Sequence, residues 1–289
     1  MLKIALPNKG RLADDVRELF ADAGLDVHSR SEHALVASLG GEFEAIFVRA
    51  QDIPEFVADG AADAGVTGWD LVVESERPLR QLLDLEFGAC RLVVAAHDES
   101  GISTLDDITG SPRVATVFPR LTQRFFARAG REITIVPVSG ATEIAPHLGI
   151  ADIVVDLTST GSTLKVNNLR EVATVLHSTA HLVAAAGGGA MRDPTKRRAL
   201  DELGAALGSV LRARGKRYVM ANVPRGALDR VKEILPGLNG PTVVDILDGG
   251  THVAVHAVVP QSAIYRTIAD LKALGAEGIL VTRIERLMP

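Results

Sequence analysis

Hydrophobic positions recur along the chain in short runs broken by polar turns, and the spacing inside each run predicts an element. Residues 2–6 form an almost continuous apolar run, which predicts a buried strand, and residues 7–10 form a turn. Leu12, Val16, Leu19, Phe20 and Ala23 then recur at three- and four-residue intervals, predicting a helix that Gly24 ends. Residues 45–48, 91–96, 113–116, 133–136 and 152–157 read as further strands, separated by helical spacing through the first two hundred residues. This alternation predicts α/β units with largely parallel sheets.

From about residue 212 the pattern changes. A strand at 218–223, a helix at 227–235, strands at 242–247 and 252–259, a helix at 262–274 and a strand at 279–284 follow one another. That order is βαββαβ, the ferredoxin-like arrangement. A domain boundary is therefore expected in the basic stretch 212–217. No repeat of fixed period and no low-complexity tract interrupts the chain.

Composition narrows the class. At 289 residues the chain exceeds what one core usually supports, and with 47% hydrophobic and 23% charged residues it has ample core material. A net charge of -5 and an aromatic content of 4% give neither the basic field nor the stacking platform of a nucleic-acid binder, so no nucleic-acid partner is expected. The opening apolar run breaks at Pro7, Asn8 and Lys9, too early for a signal-peptide core, and later apolar stretches fall short of a membrane span. A cytoplasmic protein with no membrane partner is the expectation. The single cysteine, Cys90, can form no internal disulfide and sits among apolar neighbours, which suits packing.

The stretch 143–164 carries the most chemistry. An apolar run ends in Asp156, followed by Ser159, Thr160, Gly161, Ser162 and Thr163, and then by an expected helix from Leu164. A strand, a tight hydroxylated loop and a helix start bring backbone N–H groups and hydroxyls to one point, which suits a phosphate dianion. Gly161 lets the backbone approach closely. Asp156, at the strand's end, is placed for the vicinal hydroxyls of a ribose. The same residues also serve a loop that merely caps a helix. The loop is neither a Walker loop nor a dinucleotide fingerprint, lacking both the Gly-Lys-Ser/Thr and the glycine spacing.

Lys9 and Arg11 lie in the turn between the first strand and the first helix, where ligands of open α/β sheets tend to bind, although a Lys and an Arg at a helix start are more often simply solvated charges. Arg49, just past the strand at 45–48, is an anion ligand or half of a surface ion pair. Thr67, Gly68, Trp69 and Asp70 put a glycine turn and an acid at another strand end, a pattern that a plain β-turn also explains. His252 and His256 share a strand face but have no third ligand at metal-site spacing, so a structural role is expected. There is no nucleophile elbow.

Taken in order, PNKGRL at 7–12, RAQDIPEFVADGAADAGVTGWD at 49–70, FGACRL at 87–92, RVATVFPRL at 113–121, GATEIAPHLGIADIVVDLTSTGSTL at 140–164, RYVMANVP at 217–224, LPGLNGPTV at 235–243 and LKALGAEGILV at 271–281 resemble ATP phosphoribosyltransferase in its long form. The resemblance runs along essentially the whole chain. It implies a bilobal, periplasmic-binding-protein-like catalytic core, with one lobe from 1–90 and 181–211 and a second from 91–180, and a regulatory ferredoxin-like domain at 212–289.

It further implies transfer of phosphoribosyl from phosphoribosyl pyrophosphate (PRPP) to N1 of ATP, the first step of histidine biosynthesis. Residues 159–163 would cradle the PRPP 5-phosphate and Asp156 and Glu143 would face the ribose. Lys9, Arg11, Arg49 and Asp70 would surround the nucleotide and pyrophosphate, with Mg2+ carried by the substrate phosphates. Histidine would inhibit through Asn222, Leu238, Gly240 and Thr242, and dimers would assemble into hexamers. Asn222 stands where some members carry an acid, and Gln51 where some carry a charged residue. A solute-binding protein of the same bilobal architecture and an amino-acid sensor built on the tail are the rival readings.

Overall fold

A computed structural model describes residues 1–27, 34–40, 42–247 and 250–288. The chain divides into two compact units, residues 1–205 and 206–289. The first contains two sheets, and the chain threads them in the order 1, 2, 1.

The opening segment comprises β1 (Leu2–Pro7), α1 (Ala13–Asp22), β2 (Val36–Ser38), β3 (Phe43–Val48), α2 (Ile53–Ala58), β4 (Ala64–Gly68), α3 (Trp69–Ser75) and β5 (Leu79–Asp84). Helix α1 buries Val16, Leu19 and Phe20 of the predicted stripe together with Ala13, with Leu12 and Ala23 buried just outside its ends, and it ends where the Leu25 N–H donates back to the Phe20 carbonyl at 2.9 Å.

The chain then enters a second sheet through β6 (Cys90–His97) and continues with β7 (Arg113–Thr116), α4 (Pro119–Arg128), β8 (Thr134–Pro137), β9 (Ile153–Thr158), α5 (Ser162–Val166) and β10 (Leu169–Ser178). It returns through β11 (Ala180–Ala185), followed by α6 (Gly189–Arg192) and α7 (Pro194–Ala213). Strand order is β2-β3-β1-β4-β11-β5 in the first sheet and β10-β6-β9-β7-β8 in the second.

Both sheets are mixed, which corrects the expectation of largely parallel sheets. In the first, β1 runs parallel to β3 and β4, whereas β11 is antiparallel to β4 and β5, and β2 to β3. In the second, β7 runs parallel to β8 and β9, whereas β6 is antiparallel to β9 and β10. The reversals at β6 and β11 have one cause. Residues 85–89 join β5 to β6, and Thr179 alone joins β10 to β11, so each crossing strand must start at the edge where its predecessor ended.

This connectivity positions the site. Both crossings leave from the carboxyl ends of strands, so the carboxyl edges of the two parallel sets lie at the junction between the sheets. Ligands of open α/β sheets bind outside carboxyl ends.

The second unit carries β12 (Lys216–Pro224), α8 (Leu228–Ile234), β13 (Thr242–Asp245), β14 (His252–Pro260), α9 (Ile264–Ala273) and β15 (Glu277–Arg283). Its sheet is antiparallel throughout, ordered β13-β14-β12-β15, which is the ferredoxin-like arrangement. Val219, Ala221 and Val223 alternate on one face with Val253, Val255, Ala257 and Val259, and bury against Val231, Leu235 and Leu271 of the helical layer. The sequence puts the boundary at 212, whereas the compact units divide at 205, inside α7.

Candidate active site

In the first lobe the candidate residues follow the ends of three neighbouring parallel strands. Lys9 and Arg11 come after β1, Arg49 after β3 and Asp70 after β4. Lys9 and Arg49 are exposed, and among the described residues neither forms an ion pair. Two unpaired cations beside a strand edge of an acidic protein suit an anionic ligand. Arg11 is committed elsewhere: its guanidinium donates to the Gly88 carbonyl in the β5–β6 connection and lies beside Cys90. Burial pushes the Cys90 thiol up, so it stays a neutral packing group.

Asp70 is 1% exposed. Its carboxylate accepts from the Ser178 hydroxyl at 2.5 Å, and its own N–H donates to the Ser178 Oγ at 3.0 Å. The Trp69 N–H donates to the Thr179 carbonyl at 3.0 Å. Gly68 is required by this arrangement, because a Cβ there would stand 2.3 Å from Asp70 Oδ1. The motif at 67–70 is thus a strand-to-helix junction tied to the crossing between the two sheets.

That crossing holds a further polar cluster. The Thr179 hydroxyl donates to Asp84 Oδ1 at 2.9 Å, so it accepts from Nε2–H of His181 at 3.0 Å, which fixes the tautomer. The buried His181 Nδ1 then has no partner among the described residues. Burial lowers the His181 pKa against the pull of the Asp84 carboxylate, keeping the ring neutral. A cavity of about 560 Å³ lies here, lined by Asp84, Cys90, Arg91, Ser159, Ser178 and His181 among others.

The second lobe contributes from the ends of β8 and β9, again parallel neighbours of β7. Glu143 lies in the short helical turn after β8, and Asp156 near the end of β9. The structure brings these two carboxylates within electrostatic reach. Burial raises the Asp156 pKa, Glu143 raises it further, and bonds from the Leu157 N–H at 2.7 Å and the Thr142 hydroxyl oppose the rise.

Helix α5 begins at Ser162, two residues earlier than the expected start at Leu164, so Ser162 and Thr163 belong to its first turn. Gly161 precedes it with φ 78°, a left-handed conformation natural to glycine, and its N–H donates to the Thr158 hydroxyl at 2.8 Å. The Ser159, Thr160, Ser162 and Thr163 side chains are exposed, with Thr160 and Ser162 hydroxyls 2.9 Å apart. First-turn amides have no intrahelical acceptors. Of the loop's amides, that of Gly161 is taken by Thr158 and that of Ser162 donates to the Thr160 hydroxyl at 3.4 Å, so the loop offers an anion its exposed hydroxyls and the later first-turn N–H groups.

Several contributors have no local sequence signal. Ser178 is 108 residues from Asp70. Asn8 Oδ1, in the β1–α1 turn, is buried without a partner among the described residues. Arg91 and Glu171 form a bidentate pair with N–O distances of 2.6 and 2.9 Å.

In the second unit, Asn222 and Thr242 lie on the sheet face opposite the helices: Thr242 registers with His256 and that with Met220, while Asn222 registers with Ala254. Leu238 and Gly240 occupy the turn before β13, where the Gly240 N–H donates to the Pro236 carbonyl at 2.9 Å. On the same face His256 Nδ1 is hydrogen-bonded to the Tyr218 hydroxyl, and His252 Nδ1 to the Thr251 hydroxyl at 3.1 Å. No group of three metal-ligating side chains and no helix long and apolar enough to cross a membrane occurs among the described residues.

The family model for ATP phosphoribosyltransferase (HisG) matches residues 49–207, and the model for the HisG C-terminal domain matches 213–286. An ATP phosphoribosyltransferase from Gemmatimonas aurantiaca is 68% identical, with all of both chains covered, and one from Natronomonas pharaonis is 48% identical with the same coverage. Among solved structures, a chain of the Thermotoga maritima ATP phosphoribosyl transferase (HisG:HisZ) complex is similar, with a TM-score of 0.65 and 32% identity, over 73% of this chain and 99% of that one. The C-terminal match distinguishes the long form. The chain belongs to the ATP phosphoribosyltransferase family, the transferases of histidine biosynthesis, in its long form.

Proposed function

We propose that the protein transfers the phosphoribosyl group of PRPP to N1 of ATP, yielding N1-(5-phosphoribosyl)-ATP and pyrophosphate, as the first step of histidine biosynthesis. The observation that carries this reading is the pairing of sites across the junction of the two sheets. A hydroxylated loop beside Asp156 and Glu143 suits a sugar phosphate, and Lys9 and Arg49, which form no ion pair among the described residues, suit a polyphosphate.

In the reaction a bond forms between adenine N1 and C1 of the ribose while the bond from C1 to the pyrophosphate oxygen breaks, with inversion. Positive charge develops on the ribose ring. The carboxyl groups of Asp156 and Glu143 hold the ribose hydroxyls and favour that charge, while the hydroxyls and amides of residues 159–163 fix the 5-phosphate. Lys9 and Arg49 neutralise the departing pyrophosphate and the triphosphate of ATP. Arg11 and Asp70 act from behind, through the Gly88 carbonyl and Ser178, by fixing the turns that carry the ligand groups. The oxygen donors of Glu143 and Asp156 fit a hard cation, but two carboxylates are too few for an all-protein site, so Mg2+ would be held chiefly by the substrate phosphates and would neutralise their charge.

The tail supports feedback control. Histidine is taken to bind at Asn222, Leu238, Gly240 and Thr242, in a protein that acts in the cytoplasm as dimers assembled into hexamers. The test mixes protein, ATP, PRPP and Mg2+, identifies the product by its ultraviolet absorbance and by magnetic resonance at N1, and then adds histidine. Turnover that histidine suppresses supports the full reading. Ligand binding without turnover supports a solute-binding protein or sensor instead.

A further inference from the structure

The Arg91–Glu171 pair has no part in the reaction as described, yet it stands against the phosphate loop. Arg91 of β6 registers opposite Thr158, the residue whose hydroxyl holds the Gly161 N–H. Glu171 of β10 approaches from the other side, with its Oε1 3.4 Å from where a Cβ on Gly161 would stand. Arg91 and Ser159 line the cavity at the crossing, while Glu171, Thr160 and Gly161 line a second cavity of about 510 Å³. The ion pair is thus the wall behind the loop, and each member shows about a third of its side chain to solvent, 33% and 31%.

A carboxylate this close behind a dianion site is electrostatically adverse. Asp156 and Glu143 already place two negative groups nearby. Of the other cations near the loop, Arg170 is committed to Asp98 at 3.1 Å and Ser103 at 3.0 Å, and Lys165 of α5 lines the second cavity with Glu171 but makes no ion pair with it. Arg91 alone meets Glu171, and does so with both nitrogens, the geometry that fixes position as well as charge.

We infer that Arg91 is a positioning residue for the phosphate loop, holding Glu171 neutralised behind Gly161 so that the loop accepts the 5-phosphate of PRPP. The inference rests on the loop being the PRPP site. Arg91 does not touch the substrate in this account; it cancels a charge that would repel it.

The test is a double-substitution cycle read by the KM for each substrate and by direct titration with ribose 5-phosphate. Arg91→Met raises the KM for PRPP about tenfold or more, leaves the KM for ATP within about twofold, and its penalty shrinks as salt is added. Arg91→Met with Glu171→Gln returns the KM for PRPP to within about threefold of the parent, because the repelling charge has gone with its partner. A double variant as weak toward PRPP and ribose 5-phosphate as Arg91→Met alone overturns the inference. Melting temperatures are measured on every variant, and if Arg91→Met does not fold, the double variant and Arg91→Lys, which keeps the charge, decide the question. Thr163→Glu separates the two levels. Undiminished ribose 5-phosphate binding in Thr163→Glu removes the loop as the phosphate site. Its loss there, with normal binding in Arg91→Met, removes only the role of Arg91.

Discussion

Ser178 and Asp70 form a reciprocal pair: the Ser178 hydroxyl donates to the Asp70 carboxylate at 2.5 Å and accepts from the Asp70 N–H at 3.0 Å. One residue ends β10 in the second sheet, and the other starts α3 beside the first. Leu71 and Val73 of the same helix pack against the core of the second sheet. Helix α3 is therefore a bracket across the junction, and its N-terminal fastening sets where the β4–α3 turn points.

Ser178→Ala leaves a buried carboxylate without its hydroxyl donor. The expected loss is about 1 to 3 kcal/mol of stability, the desolvation penalty of an orphaned group. Urea denaturation measures it, and an unchanged midpoint would show that Asp70 finds another donor.

The other end of α3 is fastened as well. The Glu74 carboxylate accepts from the backbone N–H groups of Arg120 and Leu121, at 2.9 and 2.8 Å, in the first turn of α4. An acid from one lobe thus caps a helix of the other, and it also meets the favourable end of that helix's dipole. Glu74→Ala should cost about 1 kcal/mol, in the range of lost N-caps. Hydrogen exchange at the amides of α4 should rise in that variant, and unchanged protection would remove the cap from the account.

Asp156 predicts a pH dependence with a definite sign. Its folded-state pKa lies above the ordinary carboxylate value of about 3.9, because burial and Glu143 disfavour the charge. With Asp156 as a ribose ligand in the proposed reaction the ionised form is the one that binds, so kcat/KM for PRPP is expected to fall as pH drops through that raised value, earlier than an ordinary carboxylate would allow. Above it, the charged group detracts from the stability of the unliganded fold, and stability recovers as the group protonates. Asp156→Asn should therefore leave the melting temperature at neutral pH unchanged or higher, while weakening PRPP use by about 1 to 3 kcal/mol, the worth of charged hydrogen bonds. A variant with lower melting temperature and unchanged PRPP kinetics would make Asp156 structural.

Much of this was legible in the chain. The period-two alternation of 219–223 and 253–259 gives the tail its strands, and the βαββαβ order leaves few other topologies. The loop after Asp156 was legible because its chemistry is local, five small residues in a row. Strand direction was not. The reversal at β11 depends on a single residue, Thr179, joining it to β10, and no hydrophobic period records that. Arg91 and Glu171, 80 residues apart, or Glu74 and Arg120, 46 apart, are ordinary charges until the sheets bring them together. The early start of α5 was missed because Ser162 and Thr163 favour caps and turns as readily as a first helical turn.

The tail offers a separate prediction. Asn222 is exposed on the face of the sheet away from the helices, in the row next to the one that holds Thr242. Replacing it with alanine should raise the histidine concentration needed for half-inhibition by about tenfold, the equivalent of one hydrogen bond of roughly 1.4 kcal/mol. Inhibition curves of the parent and variant that coincide would place the effector elsewhere.

The central claim is direct transfer between two substrates held together at the junction of the lobes. Initial rates with ATP and PRPP varied against each other test it most directly. The account predicts intersecting double-reciprocal lines and no exchange of labelled pyrophosphate into PRPP when ATP is absent. Parallel lines with exchange in the absence of ATP would require a covalent phosphoribosyl-protein intermediate and would contradict it.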